Sequence, residues 1–396
     1  MASEWQELSL AEAGVQLIDC DHRTPPAADF GYPYIAIPQL KDGRIELGDV
    51  RRISAEHYAD WTRKLKPRAH DVIVVRRCNS GQSAFVPEDL ECAIGQNLVI
   101  LRSDGRKVYP EYLRWLVRGP EWWLEVQRHI NVGAVFDSLR CRDIPNFRVK
   151  VPSFQEQVEI AETLGALDDR IENLRQTNAT LQAIVAALFK SWFVDFDGVP
   201  PEDMQESELG LIPKGWRIGA LEDLLVLQRG FDLPVQNRIE GEYPVIAAGG
   251  INGTHHKGMV KGPGVVTGRS GVLGNVFLEL GDFWPLNTTL WIKEFRAAKP
   301  CFSYELLRRF DFSAFNAGSA VPTLNRNHIH CLPQLIPPAK EVEAFEDIAL
   351  TLHQRVKENG QQAATLTALR DTLLPRLISG RLRLSEAARQ IVEVTA

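Results

Sequence analysis

The stretch LGALDDRIENLRQTNATLQAIVAALFKSW, residues 164–192, decides the architecture. Leu164, Leu167, Ile171, Leu174, Asn178, Leu181, Val185, Leu188 and Trp192 recur at alternating spacings of three and four. That spacing puts all nine on one stripe of an α-helix and reads as an unbroken heptad seam with one polar layer, Asn178. Pro152 and Ser153, with Glu156 in the first turn, mark its start.

Working outward, the chain repeats itself. A shift of 185 carries Leu139, Ile144, Val151, Pro152 and Glu156 onto Leu324, Ile329, Ile336, Pro337 and Glu341, and Leu167 and Leu188 onto Leu352 and Leu373. A shift of 211 carries Trp5 onto Trp216 and Tyr32-Pro33 onto Tyr243-Pro244. Two copies are too few for a solenoid and suit one molecule with internal pseudo-two-fold symmetry. After Pro337-Pro338 the second helix has the seam Phe345, Ala349, Leu352, Val356, Asn359, Ala363, Leu366, Arg370, Leu373 and Leu377. Each helix spans about 40 residues, or roughly 60 Å.

An unmatched buried amide costs on the order of 1–3 kcal/mol, so Asn178 is expected opposite Asn359 in an antiparallel pair. That register sets Leu164 against Leu373, Ile171 against Leu366, Leu174 against Ala363, Leu181 against Val356, Val185 against Leu352 and Trp192 against Phe345. Leu167 faces Arg370, which is expected to snorkel outward. Deleting one heptad from each helix is expected to shorten the rod by about 10 Å, or roughly three base pairs of duplex, which a change of target spacing would report.

Residues 1–150 and 212–336 read as two copies of a mixed α/β (α+β) module. The strand-like runs are Tyr34–Ile37, Asp71–Val75 and Asn97–Leu101 in the first, and Val265–Thr267 and Thr289–Ile292 in the second. One helix is expected from Pro110 through Tyr112, Leu113, Leu116 and Trp123. The proline- and acid-rich residues 197–211 read as a solvated linker.

Bulk composition excludes several classes. With 44% hydrophobic residues, each half of the 396-residue chain can bury a core. No apolar run reaches the roughly 20 residues of a membrane span. The six cysteines form no CxxC pair and no signal peptide is evident, which points to a reducing cytoplasm. A net charge of −6 argues against indiscriminate coating of nucleic acid but leaves room for local basic loops.

No GxxxxGK[ST] loop, methyltransferase signature or nuclease pattern appears. Asp19-Cys20-Asp21-His22 reads as a loop, because adjacent residues rarely converge on one ion, and so do His328, His330 and Cys331. Basic and amide side chains on corresponding loops are more informative. Arg76-Arg77-Cys78-Asn79-Ser80-Gly81-Gln82 follows one strand and Thr267-Gly268-Arg269-Ser270-Gly271 another, with Arg76 and Gly81 matching Arg269 and Gly274 at an offset of 193. An arginine in such a turn reaches a phosphate or a guanine edge, or is simply solvated. Lys64, Lys66 and Arg68, then His256 and Lys257, then Asn325 and Arg326, form further clusters that suit DNA readout or exposed loops.

The chain resembles the specificity subunits of type I restriction–modification systems. The resemblance rests on Pro152–Gln157, Leu167–Glu172, Leu188–Phe196, Leu369–Gly380, Thr267–Gly271 and Trp284–Thr289. It implies target-recognition domains at 1–150 and 212–336, conserved spacer helices at 151–196 and 337–380, a linker at 197–211 and a tail at 381–396. It also implies that each domain reads half of a bipartite, asymmetric site in double-stranded DNA. Two modification subunits would carry S-adenosylmethionine and methylate adenine after flipping it out, and motor-nuclease subunits would join for cleavage. This chain would hold no cofactor, no metal and no catalytic residue. Copy two departs from the pattern: Pro337-Pro338-Ala339-Lys340-Glu341-Val342 lacks the counterpart of Gln157. A self-contained methyltransferase or nuclease lacks its motifs here; the alternative is a coiled-coil scaffold binding protein or RNA, which fits the repeat and the heptads but for which the paired Arg-Gly loops are less expected.

Overall fold

The computed structural model describes residues 5–132, 136–315 and 323–395. The chain divides into two compact units: unit 1 comprises residues 1–173 and 362–396, and unit 2 residues 174–361.

In unit 1, β1 (Val15–Asp19), β2 (Val72–Val75), β3 (Ser83–Phe85) and β4 (Leu98–Ser103) form one sheet in the order β1-β4-β2-β3. All neighbours are antiparallel. Val72–Val75 and Leu98–Leu101 are buried on both faces, which is why they read as unbroken apolar runs. Unit 2 repeats the permutation with β5 (Leu225–Arg229), β6 (Gly264–Gly268), β7 (Val276–Glu279) and β8 (Thr289–Phe295), ordered β5-β8-β6-β7.

The smaller sheets repeat in register as well. Tyr34 pairs in parallel with Ala93, and its counterpart Val245 with Trp284. Gln6 faces Val151, and Arg217 faces Ile336.

The helix expected from Pro110 to Trp123 is two helices, α1 (Pro110–Leu116) and Pro120–His129. Pro120 lacks the N–H to continue the first, and Gly119 caps the second. The break turns Trp122 fully inward and leaves Trp123 38% exposed, so Trp122 is the core residue. The stretch read as a linker carries a hairpin, Met204–Ser207 against Gly210–Pro213.

The long helices are α2 (Phe154–Lys190) and α4 (Ala339–Ile378), with α3 (Pro300–Arg308) packed in unit 2. Ser153 and Glu156 cap α2 reciprocally: Ser153 N–H donates to Glu156 Oε2 (3.2 Å) and Glu156 N–H to Ser153 Oγ (3.3 Å). In unit 2 the helices pair antiparallel. Asn359 Nδ2 donates to Asn178 Oδ1 and Asn178 Nδ2 to Val356 O, both at 2.9 Å, and Trp192 lies beside Phe345.

The seam departs from its expected course at one end. Phe189 and Phe193 are buried, while Leu188 and Trp192 pack only partly against the same core. A π-helical turn over Ser191–Asp195 adds a residue to the period, and the rings of Phe189 and Phe193 fill the space among Phe302, Phe345 and Trp216.

Arg370 does not snorkel. Its side chain is 2% exposed, and Nη1 donates to Asp168 Oδ1 at 2.5 Å. Arg44 Nε donates to Asp168 Oδ2 at 3.0 Å, and Arg114 lies 3.9 Å from that oxygen. The apolar seam hid this pair, because Asp168 lies one residue off it.

The 185 shift carries Asp168 onto His353, and a shift of 190 carries Arg114 onto Tyr304. Unit 2 replaces the ion pair with an edge-to-face contact between Tyr304 and His353, 5.5 Å between ring centres. Burial, and secondarily the charge of Arg308, depresses the His353 pKa to about 4. His353 is neutral in both states above pH 6.5, and only the unfolded chain takes up its proton as the pH falls toward 4. Stability is therefore complete above pH 6.5 and is lost by on the order of 3 kcal/mol down to pH 4. Denaturant unfolding at pH 7 and pH 4.5 should show this loss, and His353→Phe should reduce it; an equal loss in the variant would contradict the assignment.

Each unit also ties its shorter helix to a long one. Buried Gln157 accepts from Tyr109 N–H (2.8 Å), at the start of α1, and donates to Lys107 O and Pro152 O. Copy two has apolar, buried Val342 at that position. One turn later Glu346 takes over, accepting from the Cys301 and Phe302 N–H groups at the start of α3 (3.0 and 3.1 Å). The missing glutamine is thus replaced by a different device for the same joint.

Among the described residues, no helix is long and apolar enough to cross a membrane.

Candidate nucleic-acid interface

Antiparallel pairing brings the C-terminal ends of β1 and β2 and the N-terminal end of β4 to one end of the unit 1 sheet. β5, β6 and β8 do the same in unit 2. Arg76 and Arg269 leave these sheet ends in matching backbone frames. Arg76 N–H donates to Asn97 O and Leu139 N–H to Arg76 O, each at 2.8 Å; Arg269 N–H donates to Thr288 O and Leu324 N–H to Arg269 O, again at 2.8 Å. Ladder contacts Arg77–Ser138 and Ser270–Thr323 extend the match.

The loops differ in how they turn. Unit 1 uses Cys78 and Asn79 in the left-handed region (φ 58° and 72°), and Ser80 Oγ bonds back to Arg76 O. A Cβ on Gly81 would lie 2.8 Å from Val126, so the close approach of helix Pro120–His129 requires glycine. In unit 2 a Cβ on Gly268 would lie 2.0 Å from Val272 O.

The expected contact residues separate into groups. Arg76 is half-buried with Nε unpartnered. Arg77 is exposed and stacks its guanidinium 5.3 Å from the Phe136 ring centre, and Asn79 is exposed. Lys64 joins this end, with Nζ 3.5 Å from Cys20 O. Lys66 is instead engaged with Glu91 (3.1 Å), and Arg68 is exposed beside the buried Asp71–Arg102 pair. Gln82 is exposed but lines a cleft with Arg118 and Asp371 that does not include Arg76.

In unit 2, Arg269, Ser270, Asn325 and Arg326 come together through the Leu324–Arg269 bond. The Asn325 side chain caps the helix Arg326–His330, which gives it a local structural task. His256 and Lys257 are exposed on the neighbouring hairpin.

The sequence reading missed several residues. Arg269 Nη1 donates to Asn287 O (3.3 Å), the Asn287 amide bonds to Asp232, and Arg229 lies 3.6 Å from Asp232. Arg229 thus stands at the same sheet end as Arg269. In unit 1, Arg140 follows Leu139 and donates to Asn131 Oδ1 (3.0 Å). The 185 shift that pairs Leu139 with Leu324 also pairs Arg140 with Asn325, a signal that was present in the chain.

The ligand-like clusters resolve differently. Asp19, Cys20 and His22 do converge, contrary to expectation, with His22 Nε2 3.1 Å from Asp19 and Nδ1 3.8 Å from Cys20 Sγ. Burial, then the Asp19 charge, pushes the Cys20 thiol up to about 11, which keeps it protonated at neutral pH. His330 Nε2 accepts from Leu227 N–H (2.9 Å), where β5 slips register against β8. Burial lowers the pKa of His330, which favours the neutral acceptor.

Substituting either arginine should separate two kinds of contact. Arg269→Ala is expected to cost about 1–3 kcal/mol on one sequence if it reads a guanine, or to weaken all sequences alike and flatten the salt slope by about one if it holds a phosphate. Titrations at several salt concentrations distinguish these, and unchanged affinity at physiological salt would remove Arg269 from the interface.

Comparison with known proteins finds relatives of both sequence and fold. Residues 21–183 match the family model described as type I restriction modification DNA specificity domain. The chain is 25% identical over 366 residues to the type I restriction enzyme MjaIX specificity subunit of Methanocaldococcus jannaschii, covering 85% of this chain and 83% of that one. It is 31% identical over 126 residues to the HindI specificity subunit of Haemophilus influenzae, covering 31% and 27% of the two chains. The fold matches the crystal structure of a type I restriction–modification S subunit from M. genitalium, with a TM-score of 0.62, 16% identity and coverage of 95% and 96%. With two copies of one sheet permutation and paired long helices, the chain is similar in sequence and fold to type I restriction–modification specificity subunits, and the family-model match lies in residues 21–183.

Proposed function

We propose that the chain binds double-stranded DNA at a bipartite, asymmetric site, each unit reading one half through the sheet end that carries Arg76 or Arg269. The observation that carries this reading is the matched frame of the two arginines, held by equivalent backbone bonds at equivalent ends of equivalent sheets. A bound duplex is contacted through phosphates for register and base edges for sequence, and arginine serves both. The unlike turns that follow, Cys78-Asn79 in one unit and a glycine-rich loop in the other, suit unlike half-sites.

In this account the chain performs no catalysis. Two modification subunits dock on it, bring S-adenosylmethionine and methylate adenine, and motor-nuclease subunits join through the same complex. The test is selection from a randomised duplex library by the chain assembled with its modification subunits. Enrichment of one motif with two fixed blocks separated by a fixed number of unread bases is expected. Equal retention of all duplexes, or preference for RNA, would favour the scaffold reading instead.

A further inference from the structure

Beside the Arg76 sheet end, unit 1 has a cleft of about 350 Å³. Tyr34, Ile37 and Leu98 give it an apolar wall, and Gln39, Arg51 and Asn97 a polar edge. It is joined to the proposed DNA-reading loop through one residue, because the Asn97 carbonyl accepts the Arg76 N–H. Asn97 has φ 136°, a conformation that a side chain other than glycine's disfavours, so its surroundings hold it there.

The polar heads are fixed in direction. Gln39 Oε1 accepts from Ala36 N–H (3.2 Å), and Arg51 Nη1 donates to Pro25 O (2.8 Å). Tyr34, 4% exposed, is anchored by its hydroxyl to Arg23 O (3.2 Å), so its ring is a rigid wall. A planar amide or guanidinium held through one atom presents its remaining atoms in a set direction.

Clefts that take small ligands run from about 300 to 1,000 Å³. This one is at the small end, sized for a single heterocycle rather than a dinucleotide. An apolar wall for a ring face with amide and guanidinium groups for a ring edge is the chemistry that recognises an unstacked base.

We propose that this cleft receives one nucleobase extruded from the duplex, so that unit 1 reads one position of its half-site outside the stack. The inference rests on the DNA-reading role proposed above and adds a position that is read by extraction. Bases that are already unpaired cost less to extrude, so removing the opposing base should tighten binding.

The experiment uses the chain assembled with its modification subunits and duplexes carrying a fluorescent base analogue at each position of the half-site in turn. Adenines that become methylated are left out. Emission is expected to rise on binding at one position, and an abasic site opposite it to tighten binding about tenfold. Thr24 also lines the cleft, so Thr24→Trp, which fills it, and Gln39→Ala, which removes a polar edge without adding bulk, should abolish the rise while the complex still shifts the duplex. A bound duplex with no rise at any position, or a rise that survives both variants, overturns the cleft assignment and leaves DNA reading intact. Failure of the unaltered complex to bind any duplex overturns the DNA reading and the cleft with it.

Discussion

Asp168→Ala is expected to destabilise unit 1 by about 3–5 kcal/mol, the cost of leaving buried charge without its partner. The carboxylate, 3% exposed, is shared by Arg370 at 2.5 Å and Arg44 at 3.0 Å, with Arg114 at 3.9 Å. Removing it leaves three guanidinium groups facing one another, and burial already works against the charge on Arg114. Arg370 keeps Asp371 at 2.8 Å, but that carboxylate is 54% exposed and screened. Replacing Asp168 and Arg370 together by leucine should recover part of the loss, since a well-packed apolar pair avoids desolvating both charges. Denaturant unfolding of the single and double variants reads this directly. A loss below about 1 kcal/mol for Asp168→Ala would show that the cluster is solvated and not a structural joint.

The second large effect concerns specificity. Exchanging residues 1–150 for the corresponding segment of a similar specificity subunit should change one half of the target and leave the other unaltered. Each unit has its own four-stranded sheet, and the arginine of each is framed by bonds within that unit. Specific binding commonly exceeds non-specific binding by about 10³-fold or more, so the original half-site should lose nearly all its preference. Methylation of defined duplexes by the assembled complex would report it. If both halves changed together, the units would not be reading independently.

Much of this molecule was legible before its fold was known, for a physical reason. Periodicity reports packing, so the alternating spacing from Leu164 to Trp192 announced a helix. The two asparagines announced their own pairing, because a buried amide needs a partner. The apolar runs at Val72–Val75 and Leu98–Leu101 announced buried strands in the same way.

What stayed hidden were choices between neighbours. Phe189 displaced Leu188 because its ring fills the space beside Phe302 and Phe345, and the π-turn that follows brings Phe193 into the same core. Arg370 looked like a misfit until Asp168 and Arg44, distant in sequence, supplied its partners. Arg229, Asp232 and Asn287 gather only when three strand ends meet, and no local spacing encodes that. Gln82 sits in the expected loop yet faces a cleft with Arg118, because strand pairing rather than loop membership sets which way it points.

The most direct test of the account is single-molecule sequencing of methylated adenines in cells that carry the chain with its modification subunits, repeated with Arg76→Ala and Arg269→Ala. The account predicts one motif of two blocks separated by a fixed unread stretch, with the first variant relaxing one block and the second variant the other. A contiguous motif, or two variants that relax the same bases, would contradict it.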